Sequence, residues 1–318
     1  MNTNTQVLSA VNTIVTHRRP HIDEIVAIVL LRAYGEKKFP GIKNATLAFW
    51  DAGSANTDNK SWKQHHREGR VLIGVGGSCF DEHPSATNDR KDGHCAATLV
   101  AQYLGISDLP ELEQLLRYTL NNDTKGGNNP FDLAALTNLM NKTWFDTNPQ
   151  GAVNWAIQAV EMLLQKQVKF FRQTAKEFNE YAEVIKCDHK GKNITVVAIQ
   201  SNDEDMGAYA RSDYGASAAI VIQQNQKGQV SITSQKRAKI DFSKAIVVIR
   251  RKEAYLKKID FSKMNLTIEG TIPEISEWYY DEPAARILNG SLTAPNVAAT
   301  QIPFGELIGM IIKALSTT

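Results

Sequence analysis

The sequence predicts an α/β fold: a doubly wound, mostly parallel sheet followed by a second, smaller domain of α/β or α+β type. Three observations predict it. Short β-branched runs alternate with apolar residues at helical spacing over about the first 140 residues, the pattern of parallel strands joined by helical crossovers. From Pro149 to about Ile185, apolar positions recur at helical spacing and read as one long helix or a broken pair. Beyond it strand-like runs return, and an apolar helix closes the chain. A length of 318 residues exceeds one ordinary core, so we expect a first domain over 1–148, a helical connector over 149–188 and a C-terminal domain over 189–318.

Each element has its own signal. Thr13-Ile14-Val15-Thr16 is short and β-branched, and reads as a buried strand. After a polar turn, Ile22, Ile25, Val26, Val29 and Leu30 mark a helix that Gly35 stops. Thr46 to Trp50 is a second strand, Ala52 to Glu68 a loop, and Arg70 to Val75 a third strand running into Gly76-Gly77. Ala96 to Leu104 is a helix closed by Gly105; the next has Ser107 as N-cap, Pro110 in its first turn, and an end near Leu120. Ile194 to Ile199, Ala218 to Ile222, Val230 to Thr233 and Ala245 to Ile249 read as strands, and Phe304 to Leu315 as the last helix. Ile240-Asp241-Phe242-Ser243-Lys244 recurs at Ile259 to Lys263 in unmatched surroundings, and reads as chance.

Composition narrows the classes. Hydrophobic residues make up 42% of the chain, enough for buried cores and against disorder. The longest apolar run, Ile25 to Leu31, has seven residues, far short of the ~20 of a membrane span. The opening Met1-Asn2-Thr3-Asn4-Thr5 lacks the basic-then-apolar pattern of a secretion signal, and Cys79, Cys95 and Cys187 have no zinc-site or disulfide spacing. A cytoplasmic protein with reduced thiols is the expectation, with no membrane partner. Net charge is only +2, yet Lys236 to Lys263 holds ten basic residues against Asp241, Glu253 and Asp260. That stretch suits a polyanionic ligand and equally suits a solvated surface. Six of the seven histidines precede residue 95.

Metal-type side chains gather where the first-domain elements end, which is where open α/β sheets bind ligands. The first strand runs into Thr16-His17-Arg18-Arg19-Pro20-His21-Ile22-Asp23-Glu24, with Pro20 expected to keep Arg19 extended. The third leads to Phe80-Asp81-Glu82-His83, and a later helix ends at Asn121-Asn122-Asp123-Thr124. Imidazoles and carboxylates together suit Mn²⁺ or Mg²⁺, whereas thiolates would select zinc. His94 at a helix start is a weaker candidate. His65-His66 lies in a polar excursion and reads as exposed, with Trp62 near enough to stack on a base.

These residues resemble a known family. The turn resembles the first motif of DHH phosphoesterases, roughly His-x-x-Pro-Asp-x-Asp, the superfamily of RecJ nucleases, nanoRNA phosphodiesterases and manganese pyrophosphatases. His17, Pro20 and Asp23 match it, and His21 stands for the first aspartate. His21-Ile22-Asp23-Glu24 is closer to the melanocyte-proliferating-gene (MYG) exonuclease branch. There Gly-Gly precedes Asp-His-His, as Gly76-Gly77 precedes Asp81-Glu82-His83 here. Gly93 to Ala97 is similar to the helix start that follows, Asp123 to the fourth-motif aspartate, and Leu288 to Pro295 to the C-terminal substrate loop. The sequence departs from the pattern at Glu82, in place of a histidine, and at Gly74, where the family has a metal-bridging aspartate. Asp51 is the nearest carboxylate at another strand end.

The resemblance implies that His17, His21, Asp23, Glu82 and Asp123 hold one or two Mn²⁺ or Mg²⁺ ions. Asp81 and His83 would be catalytic, the first orienting or ligating, the second touching the scissile phosphate or protonating the leaving oxygen. Asn289, Gly290 and Ser291 would grip a terminal phosphate or ribose. Arg211, Lys236 and Arg237 join the substrate residues on charge alone. The implied function is an exonuclease or oligonucleotide phosphodiesterase acting on RNA or single-stranded DNA, with a homodimer open. Two rivals stand beside it: a non-catalytic nucleotide- or nucleic-acid-binding relative, which Gly74 favours, and a small-molecule phosphohydrolase for pyrophosphate or a cyclic dinucleotide.

Overall fold

The β-branched run at the start of the chain forms β1 (Thr13–His17), buried along nearly its whole length. In a computed structural model of the chain, the structure describes residues 10–51, 60–83, 93–126, 129–291 and 294–316. Two units divide it, Met1–Val168 and Lys169–Thr318.

In the first unit, β1 leads through a short turn into α1 (Ile22–Tyr34), whose first ten residues are all buried, Asp23 and Glu24 among them. A helix buried on every side sits at the middle of its unit. Then come β2 (Thr46–Trp50), α2 (Trp62–Arg67), β3 (Arg70–Leu72), α3 (Ala96–Leu104), α4 (Pro110–Lys125), α5 (Leu133–Trp144) and α6 (Pro149–Val168). α1 packs against α3, α4, α5 and α6 in one apolar core. The parallel sheet has the order β2-β1-β3, pairing Thr13 with Thr46 on one side and with Arg70 on the other. The chain thus steps from β1 to one neighbour and returns to place β3 on the opposite side, which opens a crevice beyond the carboxyl end of β1. Parallel α/β character is as expected, and the sheet has three strands among the described residues.

The second unit opens with a π-helical segment (Lys169–Thr174), then α7 (Ala175–Tyr181), β4 (Glu183–His189), β5 (Lys192–Gln200), α8 (Met206–Arg211), β6 (Ile220–Gln224) and β7 (Val230–Ser234). It continues with α9 (Ser243–Leu256), β8 (Gly270–Ile272), β9 (Ile275–Asp281), β10 (Arg286–Leu288) and α10 (Phe304–Ser316). Its seven-stranded sheet has the order β4-β5-β6-β7-β10-β9-β8, with β5–β6 parallel and the other pairs antiparallel. Alternation along β5 explains the layering: Val196 and Ala198 join the core with α9 and α10, while Val197 and Ile199 join α7 and α8 on the opposite face.

Four local expectations are corrected. Part of the loop assigned to Ala52–Glu68 is helical, because Ser61 and Gln64 form a capping box that starts α2; residues 52–59 lie outside the described residues. α4 starts with Leu109, not Ser107, at its N-cap and runs to Lys125, so Asp123 lies in its last turn instead of beyond it. Ala245–Ile249 is helix, not strand. Ala245, Ile246, Ile249, Arg250, Glu253 and Ala254 form one buried stripe, and that burial overrides the strand propensity of the β-branched run. Arg19 is not extended: its φ is +56°. Asn141 Nδ2 donates to the Pro20 carbonyl at 2.8 Å and Arg19 pairs with Asp146, which together hold the turn. Among the described residues no helix is long and apolar enough to cross a membrane.

Candidate metal centre

β1 ends on His17, and α1 begins with His21 as its N-cap, so a single turn brings two imidazoles together. Their ring centroids are 5.0 Å apart, edge to face. His17 Nδ1 lies 2.7 Å from the Arg18 carbonyl, a contact that assigns the ring proton to Nδ1 and turns Nε2 inward. Nε2 is 2.5 Å from Glu24 Oε1, and Glu24 Oε2 accepts from the His21 backbone N–H at 2.5 Å. Asp23, one residue earlier in the first turn, accepts from Ala96 N–H at 3.2 Å and so ties α1 to the start of α3.

The segment after β3 folds back, bridging Ile73 to Phe80, and delivers Asp81, Glu82 and His83. Asp81 accepts from the backbone N–H groups of Gly77 (2.9 Å) and His83 (3.1 Å), and its Oδ1 is 3.1 Å from His83 Nδ1. Glu82 Oε1 lies 3.4 Å from the same imidazole nitrogen. Its other oxygen, Oε2, is buried with no hydrogen-bond partner among the described residues. Ligand atoms within 4.8 Å of one another form three groups: His17, His21 and Glu24; Asp81, Glu82 and His83; Asp23, Glu82 and Asp123, the last two sharing Glu82. All seven predicted metal and catalytic residues of the first unit fall into one or another of these groups, and Glu24 is the one further member.

Electrostatics shows what the cluster lacks. Burial raises the Asp23 carboxyl, and the Asp123 charge adds to it. Burial, then the Asp23 and Glu82 charges, push Glu24 well above the ordinary carboxylate range. Glu82 is raised to about 7 by burial and by Asp23. His21 is lowered by burial and by His17. On the rim, the hydrogen bond to Asp81 raises His83 to about 9 against the opposing effect of burial, with Glu82 assisting. For Asp81 burial acts upward, but its bonds from His83 and Gly77 prevail and lower it. Buried carboxylates that repel one another, with one oxygen unpartnered, fit a divalent cation, which would replace the protons they otherwise retain.

The remaining predicted residues lie elsewhere. Asp51 is 78% exposed and lies 3.9 Å from Arg18, away from these groups. Arg18 also reaches Asp146 at 3.6 Å. His65 is buried, not exposed: its Nδ1 accepts from Arg70 Nε at 3.0 Å and its ring packs on Trp50. His94 is half-buried, with Nδ1 unpartnered among the described residues. In the second unit, Asn289, Gly290 and Ser291 border a groove of about 600 Å³ with Asn202, Gln226 and Ser231. Asn289 itself is 0% exposed; its amide donates to the Glu277 and Ala298 carbonyls and accepts from Thr300 N–H. Every polar atom of that side chain holds the loop in place. Gly290 has φ +79°, and a Cβ there would meet Gln229 Nε2 at 2.6 Å. Arg211 Nη1 donates to Thr233 at 2.9 Å, and Arg237 Nε to Gln235 at 2.5 Å beside Lys236. Sequence reasoning passed over Glu24, whose signal was its place beside Asp23 in the first turn of α1.

No protein-family model matches the chain, and no curated protein matches it. Among solved structures, it is similar to the crystal structure of an uncharacterized protein from Helicobacter pylori G27, with 9% identity, a TM-score of 0.30, and coverage of 98% of this chain and 100% of that one.

Proposed function

We propose that the first unit is the catalytic part of a divalent-metal-dependent phosphoesterase, of the exonuclease or oligonucleotide phosphodiesterase type, acting on RNA or single-stranded DNA. The observation that carries this reading is the gathering of Asp23, Asp123, Asp81 and His83 about Glu82, one of whose oxygens is unpartnered among the described residues, with the His17–His21–Glu24 group coupled to it through the charges of Asp23 and Glu82 on Glu24. Nitrogen and oxygen donors without thiolate suit Mn²⁺ or Mg²⁺. His17, His21, Asp23, Glu82 and Asp123 would hold one or two ions. A metal bound there supplies polarisation of a phosphoryl oxygen and a hydroxide near neutral pH.

The chain's own groups do the rest. The Arg18 carbonyl fixes the His17 tautomer and turns Nε2 toward Glu24. Asp81 holds His83, whose pKa of about 9 keeps it protonated at neutral pH. With its side chain 57% exposed, His83 can donate a proton to a leaving oxygen or contact the phosphate. Burial of Asp23, Glu24 and Glu82 keeps bulk water from the donor atoms.

A second substrate reading, a small phosphoester, draws on the fate of the basic stretch. Arg250 is fully buried, Lys252 pairs with Glu306 at 2.6 Å and Lys257 with Glu277 at 2.7 Å, which leaves fewer charges for a strand. Metal-stripped protein given MnCl₂, with an EDTA control, separates the readings. Hydrolysis of labelled single-stranded RNA or DNA supports the first, and hydrolysis restricted to pyrophosphate or a cyclic dinucleotide supports the second. Mn²⁺ binding with no turnover of any of them would make the protein a non-catalytic relative. Failure to bind Mn²⁺ or Mg²⁺ at all would remove the metal centre itself.

A further inference from the structure

Gly74 stands two residues beyond β3 with φ +62°. An ideal Cβ at that position would lie 2.6 Å from Glu24 Oε1, 3.2 Å from its Cγ and 3.3 Å from its Cδ. The volume that a side chain at 74 would fill is therefore occupied by the Glu24 carboxylate. That carboxylate is 2% exposed and is held from both ends, Oε1 by His17 Nε2 and Oε2 by the His21 backbone N–H, at 2.5 Å each. Its ligand atom is within 4.8 Å of those of both histidines.

We propose that Glu24, entering from the first turn of α1, is a metal ligand of this centre, and that the missing side chain at Gly74 is what makes room for it. The inference rests on the metal-centre reading and assigns one more donor to it. A side chain at 74 would have to displace the Glu24 carboxylate from the position it holds here. With Glu24 included, Asp23, Glu24, Glu82 and Asp123 bring four carboxylates, so glycine at 74 costs the centre no negative charge.

The test is titration of metal-stripped, full-length protein with MnCl₂ by calorimetry, paired with thermal melting without metal. Glu24→Gln keeps the shape and removes the charge. It should weaken Mn²⁺ binding on the order of 100-fold while the metal-free protein melts at the same temperature or higher. Gly74→Asp alone should lower the metal-free melting temperature, because φ +62° strains any side chain there and the new Cβ also meets Glu24, and only the second part can be relieved by shortening residue 24. Glu24→Ala/Gly74→Asp should melt above Gly74→Asp and bind Mn²⁺ more tightly than Glu24→Ala. Glu24→Gln that binds Mn²⁺ like wild type overturns the inference and leaves the metal centre standing. Additive effects in the double variant overturn the exchange between the two positions. Wild-type protein that binds neither Mn²⁺ nor Mg²⁺ removes both readings together.

Discussion

Each unit buries charged and polar side chains, and they bury them in opposite ways. In the second unit the most deeply buried of these groups are paired with donors or acceptors of opposite kind. Arg250, 0% exposed, donates to the carbonyls of Leu266, Ile268, Gly270 and Trp278. Glu253 accepts from Trp278 Nε1 at 3.0 Å, Thr300 Oγ1 at 2.5 Å and Gln301 N–H at 3.0 Å. Asn289 is satisfied by three backbone partners. These groups tie α9, β9 and the loop before α10 to one another. In the first unit burial raises Asp23, Glu24 and Glu82, and neighbouring carboxylates add to it, Asp123 on Asp23, Asp23 and Glu82 on Glu24, and Asp23 on Glu82. A buried polar group that is satisfied contributes to the fold, and one that is repelled costs stability unless a ligand compensates it. The difference is one of charge: the first cluster gathers carboxylates that raise one another's pKa, whereas Arg250 and Glu253 face carbonyls and N–H or O–H donors.

Asp23→Asn tests the contrast with the largest expected effect. Phosphoester hydrolysis should fall at least ~100-fold, the scale of removing a group that acts on transition-state charge. The metal-free protein should gain about 1 kcal/mol, because the variant removes one of the repelling charges while its carbonyl can still accept from Ala96. Melting curves and steady-state rates check both signs, and a destabilised Asp23→Asn would place the cluster in the structural class. Glu253→Ala is the mirror experiment. It strands the Trp278, Thr300 and Gln301 donors and should cost about 3–5 kcal/mol in chemical denaturation, with Mn²⁺ affinity unchanged.

The pH response divides the units again. Where the folded pKa of a carboxyl is raised, the folded state holds more protons than the unfolded one, so stability declines as pH rises between the two values. For Glu82 that window runs from about 4.5 to about 7, and Asp23 and Glu24 act in the same direction. In the second unit Asp203, Asp241 and Asp281 are lowered. For Asp203 burial acts upward but the Lys169 and Thr174 contacts outweigh it; Asp241 is lowered by Ser243 N–H and Asp281 by Ala284 N–H. Their stabilisation is present above the ordinary carboxylate value and is lost as pH falls. Hydrogen exchange of metal-free protein, read unit by unit, should show the first unit loosening by about 1–3 kcal/mol from pH 5 to pH 8 while the second holds. Saturating Mn²⁺ should flatten the slope of the first unit.

How much of this was legible depended on the range of the interactions. Strands β1 and β2 and helices α3 and α10 announce themselves in local pattern, and the carboxylates of Asp23, Glu82 and Asp123, drawn from three separate stretches, do come within reach of one another. Glu24 was hidden because a glutamate in a first helical turn reads as a capping partner, which it also is. Its second role depends on space at Gly74, fifty residues away in sequence. Asn289 reads as a turn residue offering donors to a ligand, yet Glu277, Ala298 and Thr300 consume them. The repeated Ile-Asp-Phe-Ser-Lys shows the limit of local pattern. Asp241 and Asp260 each accept from the serine N–H two residues on, at 2.8 and 2.9 Å, but the first copy opens α9 and the second forms only a turn.

The smallest expected effect concerns the exposed cations of the second unit. Lys236→Ala and Arg237→Ala touch no buried group, since Arg237 bonds only to the exposed Gln235 contact beside it, so stability should stay within about 0.5 kcal/mol. Their value lies in salt dependence. If a strand crosses this turn, each phosphate contact removed should lower the slope of log affinity against log salt by about 0.9 for a duplex-like lattice and about 0.7 for a single strand. Pyrophosphate hydrolysis should not respond, because a small substrate engages only the metal-type residues of the first unit. An unchanged salt slope for labelled single-stranded RNA, with Mn²⁺ affinity intact, would take the 236–237 turn out of substrate binding. The small-phosphoester reading would then be favoured, with recognition confined to the first unit and its clustered carboxylates and imidazoles.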